Sequence, residues 1–213
     1  MSGTDLSGLT SLSAEYDMTL VTSAAWAGTS PPRNRLFVLR QGTVLATYDK
    51  QKLFASEKSV HSPGNRSASS REGSTVAGLL ICFDTCYPSI VRASVAQSDV
   101  NILYVPTLDP ASPHGVVSAL HAAYQPFRAA ESGVPIVRTD AFGWSMAVDE
   151  WGRIIAVLGA GDTQTTANIR PTRKPRIAQV VGDGVLWLAC IALLAGVIQG
   201  ARVRKPDAQE HRV

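Results

Sequence analysis

The sequence predicts a layered α/β domain that carries one apolar helix at its C-terminal end. Short β-rich runs alternate with two substantial helical stretches, and this alternation argues for helices packed on sheets. An uncharged run from Gly184 to Gly200, GVLWLACIALLAGVIQG, argues for the terminal helix. No internal repeat competes with this reading.

The first β-rich runs are 17–25 (DMTLVTSAA), 34–41 (NRLFVLRQ) and 43–50 (TVLATYDK), the last two flanking Gly42 as a hairpin. Ahead of them Glu15 sits in a short helix. The stretch 59–74 is rich in Ser, Gly and Arg and is expected to be a mobile surface loop. The apolar run Val76–Phe83 leads into a turn over Asp84–Pro88 and a helix over Ser89–Gln97. Asn101–Pro106 is strand-like, and Val117–Gly133 has helical spacing with Gly133 as its C-cap. Val134–Thr139, Ser145–Val148 and Ile154–Leu158 complete the strands, broken by Gly143 and Gly152. These elements divide the chain into a domain over 1–161, a polar connector over 162–179, the apolar helix over 180–200 and a basic tail over 201–213.

Composition narrows the function classes. With 20 Lys+Arg against 17 Asp+Glu in 213 residues, and charged residues at 17%, the chain is neither disordered nor polybasic. No basic stripe with interleaved aromatics accompanies the slight positive balance, so nucleic acid is not an expected partner. Three cysteines, Cys82, Cys86 and Cys190, form no disulfide framework and no metal-ligand spacing. The N-terminal MSGTDLSGLTSLSAEYD has no basic region or apolar core, so a signal peptide is not expected.

The C-terminal run is apolar on every side, where a core helix usually keeps one polar stripe. A spanning helix needs about 20 apolar residues. Trp187 suits an interfacial anchor, and Arg202, Arg204 and Lys205 close the other end, so a membrane span is expected over 180–200. Arg170, Arg173, Lys174 and Arg176 before it balance Arg202, Arg204, Lys205 and Arg212 after it, and the charge rule leaves its orientation open.

Three segments carry the chemistry. Ile81-Cys82-Phe83-Asp84-Thr85-Cys86-Tyr87-Pro88 delivers a cysteine from an apolar strand to a turn and a helix, where nearby amides favour a thiolate. Alone, such a cysteine is more often inert core. Tyr48-Asp49-Lys50-Gln51-Lys52-Leu53 puts a lysine at a strand end, suited to stabilising a thiolate or an oxyanion, or merely solvated. Arg128-Ala129-Ala130-Glu131, then Val134 to Arg138, lies on and after the long helix, where Arg128 and Glu131 read as a structural pair. His61, His114 and His121 have no metal-ligand partner at a useful spacing and read as surface or core. Phe142 and Trp144 could line a pocket near Cys82 but read more readily as packing residues, and Cys190 reads as helix filler.

In this order the three segments resemble the successive signatures of the nitrilase (carbon–nitrogen hydrolase) superfamily, from about Leu20 to Leu158, with Gly152-Arg153-Ile154 fitting as well. The resemblance implies an αββα sandwich and a Glu/Lys/Cys triad, with Cys82 as nucleophile and Lys50 as the lysine. It implies neither cofactor nor metal. Only Glu15 precedes Lys50, and no Pro-Glu dipeptide is present, so the general base is assigned to no residue and the domain is expected to lack its first strand or strands. Glu57 matches the glutamate that supports the site after the lysine. Thr107-Leu108-Asp109-Pro110 departs from the family's Asn-Asp-x-Trp, which puts specificity in question.

Val181 to Trp187 entering an apolar helix resembles the last transmembrane helix of the apolipoprotein N-acyltransferases. That branch implies transfer of an acyl chain from a phospholipid, through a cysteine thioester, to the N-terminal amine of a lipoprotein. It also implies an extracytoplasmic domain on the inner or plasma membrane, a cytoplasmic C-terminus and a companion chain for the missing helices. An amidase of small carbon–nitrogen substrates and a non-catalytic relative remain as alternatives.

Overall fold

In the computed structural model of the protein, the chain is described over residues 5–97, 99–110, 116–159 and 164–203, with side chains at all of these except 185 and 201–203. It divides into two compact units, residues 1–176 and 177–213. The expectation for His114 lies outside the described residues.

The first unit opens with α1 (Ser7–Glu15), which precedes a three-stranded antiparallel sheet of β1 (Leu20–Trp26), β2 (Arg33–Arg40) and β3 (Thr43–Asp49) in that order. The expected hairpin is present, and Gln41 and Gly42 both take positive φ, 48° and 78°, as a two-residue turn matching strand twist requires. Ser13 of α1 is fully buried and its hydroxyl accepts the Gly42 N–H at 3.0 Å, which ties the helix to the turn.

The second sheet has the order β4 (Ser69–Glu72), β5 (Thr75–Leu79), β6 (Ile102–Thr107), β7 (Ile136–Asp140), β8 (Ser145–Val148) and β9 (Ile154–Leu158). β5, β6 and β7 run parallel, and the outer pairs are antiparallel. Central parallel strands are covered on both faces, so they read as continuous apolar runs. Along the β5 region, Val76 and Leu80 enter one core with Ile90, Val91 and Val95 of α2 (Pro88–Val95) and Ala122 and Ala129 of α3 (Val116–Ser132). Ala77, Leu79 and Ile81 point the other way, against Leu36, Val38 and Tyr48 of the first sheet. The layers are therefore helices α2 and α3, second sheet and first sheet, with the short α1 against β2 of the first sheet. Gly133 follows α3 with φ 63°, and its N–H bonds to Ala129 O at 2.8 Å, the C-cap the sequence predicts.

Two expectations change. Residues 59–74 are not a free loop, because Ser69–Glu72 forms β4 and pairs with β5, while Gly64 N–H reaches Lys50 O at 2.8 Å. The polar connector is also largely part of the domain. Thr172 N–H bonds Asn101 O and Lys174 N–H bonds Gly133 O, each at 2.8 Å, and the Arg176 guanidinium lies 4.1 Å from the Trp151 ring centroid. A polar composition conceals these contacts because the backbone makes most of them. Residues 162 and 163 lie outside the described residues.

The second unit holds α4 (Ile177–Val181) and α5 (Gly184–Val203). The expected apolar helix is present, with Leu186, Trp187, Leu188, Ile191, Leu193, Leu194 and Val197 exposed. Among the described residues, no helix is long and apolar enough to cross a membrane. The helix stands, and a membrane span over 180–200 is not established by it. Of the basic tail, residues 204–213 lie outside the described residues.

Candidate active site

Cys82 lies two residues beyond β5, after Leu80 and Ile81, and opens a tight 3-10 turn, Cys82–Cys86. Its φ of 48° is left-handed, a strained conformation for a residue with a Cβ that persists only where its surroundings enforce it. Asp84 does much of the enforcing. Its fully buried carboxylate accepts the Tyr48 hydroxyl at 2.8 Å and the N–H groups of Ile81 at 3.1 Å, Lys52 at 2.7 Å and Gln51 at 3.2 Å. One side chain therefore joins the nucleophile turn to the segment that follows Lys50. From the other side, α3 holds Thr85. Gln125 Nε2 donates to Thr85 Oγ1 at 2.9 Å and Arg128 Nε to Thr85 O at 3.0 Å. Arg128 also pairs with Glu131, so its expected structural role is what the geometry shows.

Lys50 lies just beyond β3 and is 2% exposed. Its Nζ donates to Glu57 Oε2 at 2.6 Å. Glu57 further accepts Phe54 N–H at 2.7 Å and Asn34 Nδ2 at 2.8 Å. Burial alone would raise its pKa, but the Lys50 ammonium and these two donors hold it below the usual carboxylate range. The structure thus brings Lys50, Glu57 and Cys82 to the wall of one cavity of about 620 Å³. Phe54, Phe83, Tyr87, Leu108, Leu120 and Tyr124 give that cavity a largely apolar lining.

A thiolate is expected from sequence, and here the structure differs. Burial pushes the Cys82 thiol up to about 11; Lys50 and Arg138 pull it down less strongly, and Asp109 pushes it further up. Sequence spacing does not report burial, and burial favours the neutral thiol at this strand end. All three cysteines are free, and no Cys82–Cys86 bridge forms.

Beside the thiol lies a group the sequence reading treats as inert. His121, expected to be surface or core, directs Nδ1 to Asp109 Oδ1 at 2.8 Å and Nε2 to the Cys82 carbonyl at 3.2 Å. Both of these partners are acceptors and so favour the doubly protonated ring, against the Arg138 Nη1 donor that stands 3.5 Å from Nδ1. Burial lowers its pKa, but the bond to Asp109, with help from Cys86 and the Asp109 charge, carries it up to about 9. Arg138, 1% exposed, donates from Nη2 to Asp109 Oδ2 at 2.7 Å and to Asp140 Oδ2 at 2.6 Å. Burial alone would raise Asp109, yet His121, Arg138 and Asp140 together lower it.

Cys82, Asp109 and His121 offer ligand atoms within 4.8 Å of one another. They suit a cation poorly, because Arg138 already holds one Asp109 oxygen and lies 3.5 Å from His121 Nδ1. Phe142 is 55% exposed and Trp144 39%, so neither packs in the core as expected; Trp144 serves through its carbonyl, which accepts Arg138 Nε at 3.1 Å.

Fold and site together define an αββα-sandwich protein with a cysteine, a lysine and a glutamate gathered at the sheet ends. The carbon-nitrogen hydrolase family matches residues 1–173, and the chain belongs to it. Over 134 residues the chain is 34% identical to apolipoprotein N-acyltransferase of Caulobacter vibrioides, an alignment covering 59% of this chain and 23% of that protein. The NitN amidase from Nesterenkonia sp. AN1 superposes with a TM-score of 0.64 at 25% identity, covering 72% of this chain and 64% of the amidase. A mutant of that amidase in complex with butyramide superposes with a TM-score of 0.64 at 25% identity, covering 72% and 62%. Another structure of the same amidase has the acetamide moiety of fluoroacetamide added covalently at its active-site cysteine, with a TM-score of 0.64. The chain thus spans less than two thirds of the length of each of these relatives.

Proposed function

We propose that the protein is a cysteine-dependent acyltransferase that moves an acyl chain from a phospholipid to the N-terminal amine of a lipoprotein, in the manner of apolipoprotein N-acyltransferase. The observation that carries the proposal is the meeting of Cys82, Lys50 and Glu57 on one largely apolar cavity. Sγ attacks the ester carbonyl, the C–O bond breaks, and the lyso-lipid alcohol leaves with a proton. The acceptor amine then attacks the thioester, the amide forms, and the C–S bond breaks as Sγ regains its proton. Lys50, held by Glu57, faces the negative charge that grows on the carbonyl oxygen in both steps.

The exposed apolar side chains of α5 support a seat on the inner or plasma membrane; an extracytoplasmic family domain with a cytoplasmic C-terminus rests on the acyltransferase resemblance alone. The amidase likeness supports a second reading, hydrolysis of small carboxamides through the same cysteine. The two readings separate in one assay on the full chain in detergent, given either phosphatidylethanolamine with a cysteine-initiated lipopeptide, or butyramide. Lyso-lipid and N-acylated peptide are the expected products. Ammonia from butyramide with no lipid turnover would favour the amidase, and no turnover of either would favour the non-catalytic reading.

A further inference from the structure

We propose that Asp109 is the catalytic carboxylate that takes the Cys82 proton during acylation and returns it during transfer, with His121 and Arg138 as its positioning residues. This inference rests on the acyl-enzyme reading above and adds a proton acceptor to it.

The argument begins at the sulfur. Among the described residues, Asp109 is the carboxylate hydrogen-bonded to the thiol, with Sγ 3.9 Å from Oδ1. Glu57 is committed to Lys50, Asn34 and Phe54, and Asp84 to four donors of the turn. A buried neutral thiol reacts only if its proton leaves as the S–C bond forms, so a positioned acceptor is chemically required.

Asp109 is held for that task from three elements. It follows β6, and its own N–H bonds Asp140 Oδ1 at 3.2 Å, at the end of β7. Arg138 of β7 fixes Oδ2, and His121 of α3 fixes Oδ1 while its second N–H holds the Cys82 carbonyl. The one imidazolium therefore sets both the acceptor and the strained backbone of the nucleophile. Charge holds the same groups together, although it lowers the proton affinity of Asp109, which the transfer has to overcome. Asp109 and Asp140 balance Arg138 and His121, so the buried network is neutral only while His121 is protonated. Among the described residues, Lys50 also acts on this region, through Cys82.

The step balances. The S–H bond breaks, its proton moves to Asp109 Oδ1, and the S–C bond forms at the acyl carbon. Asp109 then delivers the proton to the leaving oxygen. In the second half, Asp109 accepts a proton from the attacking amine and hands it to Sγ as the C–S bond breaks.

The test follows acylation of Cys82 by p-nitrophenyl acetate, read by intact mass from pH 5 to 10 on the full chain in detergent. Wild type, Asp109→Asn and Asp109→Glu are compared. With Asp109 as acceptor, the wild-type rate is flat across neutral pH. Asp109→Asn loses about 10²–10⁴-fold at pH 7, and its rate then climbs about tenfold per pH unit as the thiol ionises on its own. Asp109→Glu keeps the flat profile at reduced rate and serves if the Asn variant does not fold. A wild-type rate and flat profile in Asp109→Asn would overturn the proposal. So would a uniform loss without the climb, since that marks a purely structural residue. A wild type that forms no adduct while Cys82 still alkylates would remove the acyl-enzyme reading and this one with it.

Discussion

Replacing Lys50 with Met separates what the buried ammonium does for the fold from what it does for the reaction. The side chain is 2% exposed and that of Glu57 19%, so Lys50→Met leaves a largely buried carboxylate without its ion partner. Breaking such a pair costs about 3–5 kcal/mol. Glu57 keeps its bonds from Asn34 Nδ2 and Phe54 N–H, which argues for the lower end, about 3 kcal/mol. In a unit of this size each kcal/mol lowers Tm by about 2–4 °C, so a fall of roughly 6–12 °C is expected. The double variant Lys50→Met/Glu57→Gln removes the unpaired charge and should recover most of that fall. Cys82 acylation should not recover, because both variants lack the cation facing the carbonyl oxygen, a loss of about 10²–10³-fold. Calorimetry together with intact-mass acylation rates reads both quantities on the same samples. Recovery of acylation in the double variant would refute the reasoning, since Lys50 would then be only a partner for Glu57.

Three other expectations follow from the same geometry. Asp84→Asn sets an amide N–H₂ among four donors in a fully buried site, so it should cost at least about 3 kcal/mol in denaturant titration; a cost under 1 kcal/mol would contradict the clamp. His121 binds its proton more tightly folded than unfolded, so its contribution is whole below pH 6.5 and is lost as pH rises to about 9. At 1.36 kcal/mol per pH unit the upper bound is about 3 kcal/mol, shared with Asp109, and His121→Gln should flatten stability between pH 6.5 and 9 in urea titrations. In α5, Leu188→Lys with Leu194→Lys should abolish flotation with phospholipid vesicles, at a cost of about 2.5–3.5 kcal/mol for each charge within a bilayer; unchanged flotation would count against the membrane seat.

Most of the strand pattern, the hairpin at Gly42 and the Gly133 cap were legible because each depends on local periodicity or a short motif, and Lys50, Glu57 and Cys82, named from the family resemblance, line one cavity. The buried network was not. Asp109, His121 and Arg138 come from the end of β6, from α3 and from β7, and no sequence spacing links them. One signal was available. Asp109 and Asp140 lie at or just beyond the C-terminal ends of adjacent parallel strands, with Thr107 paired to Asp140, and such ends in α/β sheets gather functional groups. The protonation state of Cys82 was also hidden, since a motif shows a lysine nearby but not how much water the fold excludes. Asp84 sat within the cysteine motif, yet its role needs Tyr48, Gln51 and Lys52, which only the fold brings to it. For 164–176, backbone bonds that any residue can make turned an expected connector into part of the domain.

The central claim is that Cys82 carries an acyl group taken from lipid. Intact mass spectrometry of the detergent-solubilised chain after incubation with phosphatidylethanolamine, beside Cys82→Ala, tests it most directly. The account predicts a hydroxylamine-sensitive acyl adduct on the wild type and none on the variant. No adduct on a wild type whose Cys82 still alkylates, or equal adducts on both proteins, would contradict it.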